Sequence, residues 1–245
     1  MIEIFAIHTA VLVGLIVSWA WKESYGGVFA GFAVPGYLAA IALVAPSAAT
    51  TILIEAVLTY GITRVLGDWL PRIGLTARVF GRERFLLFVL TSVPVRLVVE
   101  GLAAGGLSEL LGGVVPGGEH LGFFGVGLVL VPLTANTFWK LGLLRGVGQV
   151  VGTTGVTALL MWAVVMPLLS LDLSSFLLTL ENISADFLAA PKVTVLLLTT
   201  AVVSTWTAER FGWNAGGLLV PSLLALLVFG PIKLVTTLVE IILLM

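Results

Sequence analysis

The sequence predicts an all-α fold, a polytopic transmembrane helical bundle. Composition is the first reason: of 245 residues, 59% are hydrophobic and 10% charged, where soluble domains carry about 25% charged residues. The second is a series of apolar runs near 2–21, 26–45, 48–66, 85–104, 122–143, 146–169, 192–208, 213–229 and 231–245. Most reach the roughly 17–25 residues that cross a hydrocarbon core as helix, which gives about nine segments. Third, none of these runs alternates at period 2 as a membrane β-barrel would, and a run apolar on every side needs helix to satisfy its own backbone in lipid.

The first run begins at Ile2 with no basic stretch before it. It ends at Trp19, Trp21, Lys22 and Glu23 without a small-residue cleavage site, so it reads as a retained first span. The second run contains "GGVFAGFAVPGYLAA" at 26–40, with four glycines and a proline. Proline removes a backbone donor and glycine weakens helix, so Gly31-x-x-Val34-Pro35 should free carbonyls near Gly31. Two structures would accommodate that: a kink with close packing through small residues, or a discontinuous helix lining a protein-enclosed path. The third run carries Glu55, and beyond it Arg64, Arg72, Arg78, Arg82 and Arg84 face only Asp68 and Glu83. That loop is expected on the cytoplasmic side.

On the fourth run, Arg96 and Glu100 stand four residues apart just after Pro94, close enough to pair. A charge at mid-helix costs about 2.5–3.5 kcal/mol on insertion scales, so these two form either a self-neutralising structural pair or part of a functional site. Asn136 and Lys140 share a face of the fifth run after Pro132, although Lys140 can equally snorkel to the cytoplasmic edge. Gln149, Thr153, Thr154 and Thr157 supply polar groups on the sixth. The stretches 105–139 and 171–191 hold Glu109, Glu119, Asp172, Glu181 and Asp186 but no lysine or arginine, and their connections should lie outside. The N-terminus is then external and the Lys22–Glu23 turn cytoplasmic, provided that 26–45 crosses fully.

The last runs repeat the first. Glu23-x-x-Gly26, Gly31-x-x-Val34-Pro35, Leu38 and Ala39 recur at one constant offset as Glu209-x-x-Gly212, Gly217-x-x-Val220-Pro221, Leu224 and Ala225. A one-residue shift then aligns Pro46 with Pro231 and Glu55 with Glu240. The expected organisation is a single membrane domain with repeat units at 1–66 and 192–245 around central segments at 67–191, the two units running parallel. Glu55 and Glu240, matched in the two units, would pair with basic groups or carry protons.

Several chemistries are disfavoured. The chain has no cysteine, and His8 and His120 belong to no metal-binding cluster. It shows no Gly-x-Ser-x-Gly elbow, no His-Glu-x-x-His motif and no phosphate-binding P-loop. No catalytic residue, metal site or cofactor is therefore assigned to this chain, and no nucleic acid is expected as a partner.

Taken together, Glu23-x-x-Gly26, "AGFAVPGYL" at 30–38, "GRERF" at 81–85 and "ANTFWKLG" at 135–142 resemble the membrane subunit of poly-γ-glutamate synthase, the CapC/PgsC family. The resemblance covers roughly residues 1–160, and the order and spacing of the motifs carry it. It implies a multi-pass subunit in a bacterial or archaeal plasma membrane that supports synthesis and export of an anionic capsule polymer. It further implies a cytosolic Mur-ligase-like amide ligase, which would supply ATP and a divalent metal, and an extracellular-facing accessory subunit. The chain departs from the family in continuing into the repeat at 209–245 and in placing Leu133 after Pro132, where the pattern prefers glycine. The extra third would replace a helper subunit or a second protomer, and a homo-oligomer is compatible with either.

On this reading the polymer path or its supports would involve Glu23, Gly31, Pro35, Glu55, Arg96, Glu100, Asn136, Lys140, Glu209, Gly217, Pro221 and Glu240. Arg78, Arg82 and Arg84 would dock the ligase. The competing expectation is a self-sufficient secondary transporter for a small anionic solute, which a repeat, broken helices and intramembrane charges would equally permit. An intramembrane enzyme is disfavoured, because no nucleophile and base stand at a recognisable spacing.

Overall fold

The computed structural model describes residues 3–27, 31, 33–74, 81–102, 124–169 and 190–212, together with the isolated positions 235, 239, 242 and 243. Every regular element among them is helical. The first helix, α1 (Glu3–Tyr25), ends where Gly26 adopts φ 67° and its N–H reaches the Lys22 carbonyl at 2.9 Å. A left-handed glycine closes the last turn in this way because it carries no Cβ to clash.

The second run does not form one continuous helix. Gly31 takes φ 63°, and α2 runs only from Val34 to Val44 with Pro35 in its first turn. Its 11 residues extend about 16 Å at 1.5 Å per residue, roughly half of a 30 Å hydrocarbon core. Of the carbonyls expected to be freed near Gly31, that of Gly31 itself accepts the Val34 N–H at 3.3 Å. Proline at a helix start lacks an N–H that would have had no intrahelical partner in any case. The chain turns at Ala45, with φ −139° and ψ 81°, and Pro46 opens α3 (Pro46–Trp69), which a short 3₁₀ segment, Leu70–Ile73, extends.

Two further helices carry interior prolines: α4 (Gly81–Leu102) with Pro94, and α5 (Phe124–Leu141) with Pro132. Gly142, at φ 82°, makes the tight corner into α6 (Leu143–Leu160), which widens into a π turn at Met161–Val165 and continues through Met166–Leu169. Pro167 follows that turn and cannot donate to the carbonyl four residues back, which fits a local change of helical hydrogen bonding. The last described helix is α7 (Ala190–Phe211), followed by Gly212 at φ 69°. Apart from Val235, Val239, Ile242 and Leu243, the expected runs at 213–229 and 231–245 fall outside the described residues.

Close contacts through glycine set the packing. A Cβ built on Gly14 would stand 2.5 Å from the Gly36 nitrogen, and one on Gly36 would stand 2.5 Å from the Val11 Cα. The backbones of α1 and α2 therefore touch, which only small residues permit. A Cβ on Gly146 would stand 2.8 Å from the Phe138 Cα, so α5 and α6 also meet nearly backbone to backbone. One apolar core gathers Leu38, Ile41, Ile52, Phe88, Leu130 and Phe138, and a smaller one joins Val89 and Val93 of α4 to Leu128 of α5 and Leu197 and Ala201 of α7.

Burial is inverted relative to a soluble protein. On α3, Glu55, Thr59 and Thr63 are buried while Ile54, Leu58, Ile62 and Val65 are exposed. Gln149, Thr153 and Thr157 of α6 are buried while Val151, Val156 and Leu159 are exposed, and α7 buries Ser204 and Thr205 but exposes Val202, Val203 and Trp206. Water would drive the opposite arrangement, whereas in lipid apolar side chains cost nothing outside and polar ones seek partners inside. Two of the described helices, Pro46–Ile73 and Leu143–Leu168, are long and apolar enough to cross a membrane.

Candidate functional site

The inward polar face of α3 is built on helical spacing, with Glu55, Thr59 and Thr63 one turn apart. Helix α4 lies against it in the opposite direction. At one level the Thr63 and Thr91 hydroxyls share a hydrogen bond of 2.7 Å. Further along, Arg96 Nη1 faces Glu55 Oε2 at 3.7 Å, with the two side chains 4% and 1% exposed. A charge in such surroundings is tolerated chiefly when an opposite charge shares the burial.

Helix α5 closes the third side. A Cβ at Gly127 would overlap the Arg96 guanidinium, coming within 2.5 Å of Cζ and 2.8 Å of Nη2. Glycine at 127 thus makes the seat that the guanidinium occupies. Thr134 stands seven residues on, two helical turns away on the same face of α5. Thr59 and Thr134 are both fully buried, and neither Oγ1 has a hydrogen-bond partner.

Toward the other end of these helices the seam becomes aromatic. Trp139 of α5 packs edge to face against Tyr60 of α3 and Phe88 of α4, at centroid distances of 6.1 and 5.9 Å. Arg84 lies over the Trp139 ring with Cζ 5.8 Å from its centroid, within the range of a cation–π contact. Arg64 donates to the Tyr60 hydroxyl at 2.6 Å. The "GRERF" and "ANTFWKLG" stretches, far apart in sequence, therefore meet through Arg84 and Trp139.

The structure sorts the residues singled out by sequence. Glu55 and Arg96 come together. The expected pairing of Arg96 with Glu100 falls on a side chain, that of Glu100, which lies outside the described residues. Gly31 faces α5, where a Cβ would stand 3.8 Å from both Cδ atoms of Leu133 and 3.2 Å from Val34 Cγ2. Pro35 is buried in the first turn of α2, and Glu23 and Lys140 are exposed near helix ends. Asn136 is partly buried with Oδ1 lacking a hydrogen bond, but it lies nine residues from Gly127, about half a turn round α5, and so faces away from Arg96. The side chains of Arg82 and Glu209 are not among those described, and Arg78, Gly217, Pro221 and Glu240 lie wholly outside the described residues.

Sequence reasoning missed Gly127, Thr59 and Thr134. Thr59 carried a usable signal, its spacing of four from Glu55. Gly127 carried none, because its role depends on how far α4 reaches across α5. Among the described residues no group of three potential metal ligands occurs.

The family model described as "Capsule biosynthesis CapC" matches residues 13–147, more than half of the chain. That span contains Glu55, Thr59, Arg96, Gly127, Thr134 and Trp139. The "PGA biosynthesis protein CapC" of Bacillus subtilis (strain 168) is 27% identical over 158 residues, covering 64% of this chain and 93% of that protein. The "Capsule biosynthesis protein CapC" of Bacillus anthracis is 26% identical over 159 residues, covering 63% and 93%. No solved structure matches the chain significantly. With the match spanning the whole seam and nearly the full length of both relatives, the chain belongs to the CapC family of capsule biosynthesis proteins.

Proposed function

We propose that the chain is the multi-pass plasma-membrane subunit of a synthase for poly-γ-glutamate or a related γ-linked anionic polyamide, supporting both synthesis and export. The observation that carries this reading is the inverted burial within the family-matched region: apolar faces outward, and a charged, hydroxyl-lined seam inside. A separate cytosolic Mur-ligase-like amide ligase supplies the bond-forming chemistry with ATP and a divalent metal, and an accessory subunit works on the outer face. The arginine-rich loop faces the cytosol and receives the ligase through Arg78 and Arg82.

The repeat belongs to the same proposal. Helices α1 and α7 each end on a left-handed glycine, Gly26 at φ 67° and Gly212 at φ 69°, and each glycine follows a glutamate by three residues. This supports reading 1–66 and 192–245 as copies of one unit around a central segment at 67–191.

Purification of the tagged full chain from its native host tests the assignment. An ATP-dependent amide ligase is expected to co-purify, and Arg78→Glu combined with Arg82→Glu should release it at moderate salt while the chain stays inserted. Arg84 is left intact because its guanidinium packs on Trp139. A chain that brings down no ligase, yet takes up a small anionic solute alone in liposomes, would be a transporter instead.

A further inference from the structure

Arg64 is exposed on α3, yet its guanidinium turns back along the helix, where Nη1 donates to the Tyr60 hydroxyl at 2.6 Å. Asp68, one turn onward, makes no ion pair with it. The 24 residues of α3 extend about 36 Å at 1.5 Å per residue, so its ends reach the headgroup layers beyond a roughly 30 Å hydrocarbon core. Arg64 lies within two turns of the Trp69 end and therefore stands at the boundary of the two. A snorkelling arginine would reach outward for water. This one leans inward.

Aromatic packing fixes that posture. Tyr60 packs on Trp139, and a Cβ on Gly67 would stand 3.7 Å from the same ring, so the α3 face that carries Arg64 is held against α5. On the adjoining stripe Leu58, Gly61, Ile62 and Val65 are exposed at spacings of three and four. A Cβ on Gly61 would meet nothing within 4 Å, which leaves a shallow notch one turn before Arg64. Trp69 is exposed one turn after Val65. Lys140 of α5 and Arg145 of α6 are exposed at this same end, where Gly146 abuts Phe138, and no described carboxylate pairs with either.

We propose that this stripe of α3 seats one anionic phospholipid, with its phosphate on Arg64 and an acyl chain along Leu58, Gly61, Ile62 and Val65. The bond to Tyr60 uses Nη1 and leaves the Nε and Nη2 edge, which grips a phosphate through two donors. The inward lean selects the partner. A soluble acidic protein would meet cations at the helix end, whereas a phospholipid presents its anion directly above an apolar tail, the order in which α3 arranges Arg64 and Gly61. Trp69 sits at the interfacial level that tryptophan favours. A net-negative headgroup fits better than a zwitterionic one, because the positive charge of Lys140 and Arg145 attracts the first and repels the ammonium of the second. The seat depends on the membrane placement proposed above, and on neither the ligase nor the polymer.

The test uses the full chain, delipidated in a neutral detergent and titrated with phosphatidylglycerol, with phosphatidylcholine of the same acyl chains and with inorganic phosphate, bound lipid being counted by native mass spectrometry. The wild-type chain should bind phosphatidylglycerol at least tenfold more tightly than phosphatidylcholine, and inorganic phosphate should not displace it. Arg64→Gln should remove the preference, and Arg64→Lys, which keeps the charge and loses the fork, should lower it severalfold. Gly61→Leu adds a good helix former in open space, so that variant should stay folded and bind phosphatidylglycerol at least fivefold more weakly. Arg210→Gln removes a positive charge from α7 and should change nothing. Equal affinity for the two lipids in the wild-type chain, displacement by inorganic phosphate, or an unchanged preference in folded Arg64→Gln overturns the seat. So does an equal loss in Arg210→Gln. Should Arg64→Gln not fold, Arg64→Lys and Gly61→Leu decide, and wild-type affinity in both overturns the seat. Membrane placement is read separately, by whether the chain needs detergent to stay in solution, so a failed lipid preference leaves the proposed function to its own experiment.

Discussion

Arg96 shows what local spacing can and cannot say. Four residues separate it from Glu100, and that spacing establishes only that the two side chains could meet on one helix. Among the described residues Arg96 faces Glu55 on the neighbouring helix, a contact set by the antiparallel register that Thr63 and Thr91 share. The charges were legible as costly to bury, but the contact between the two helices was not, because register depends on packing along the whole length of α3 and α4. The pair also separates structure from function. Removing one partner leaves a buried charge uncompensated, so Glu55→Leu or Arg96→Met alone should destabilise the chain by about 3–5 kcal/mol, whereas replacing both with apolar side chains should be close to neutral. Thermal unfolding in detergent, followed by size-exclusion chromatography, would read this, with the two single variants melting early and the double variant recovering.

At the level of elements, the Gly-x-x-Val-Pro stretch was readable as a break but not as the kind of break. A proline in mid-helix and a proline in the first turn look alike over five residues. Gly26 and Gly31 decide between them, both in the left-handed region, so that helix stops before the stretch and restarts at Val34. This also bears on how the break can be tested. Any side chain at Gly31 is strained by its φ of 63°, at a cost of about 1–3 kcal/mol, so loss of function in Gly31→Leu would not report on a path. Gly36 gives a cleaner structural contrast, since its Cβ would meet Val11 and Ala10 backbone atoms that cannot swing aside. Gly36→Val should cost at least the roughly 1–3 kcal/mol of an overpacked site. Membrane abundance should fall while polymer output per inserted chain is retained, and quantitative immunoblotting beside a polymer assay would check both.

For the whole molecule, composition alone foretold helices facing lipid, and the outward Ile, Leu and Val residues on α3, α6 and α7 agree with it. The meeting of Arg84 with Trp139 and the seating of Arg96 at Gly127 were not legible, because each joins segments more than thirty residues apart through contacts that no local period encodes. The central claim is that the seam serves the polymer rather than merely holding three helices together. The most direct measurement is extracellular γ-linked polymer per inserted chain in host cells carrying the Glu55→Leu and Arg96→Met double variant. That variant keeps the packing and removes the chemistry. The account predicts normal insertion, retained ligase and a fall in polymer of tenfold or more. Wild-type output from the double variant would contradict it.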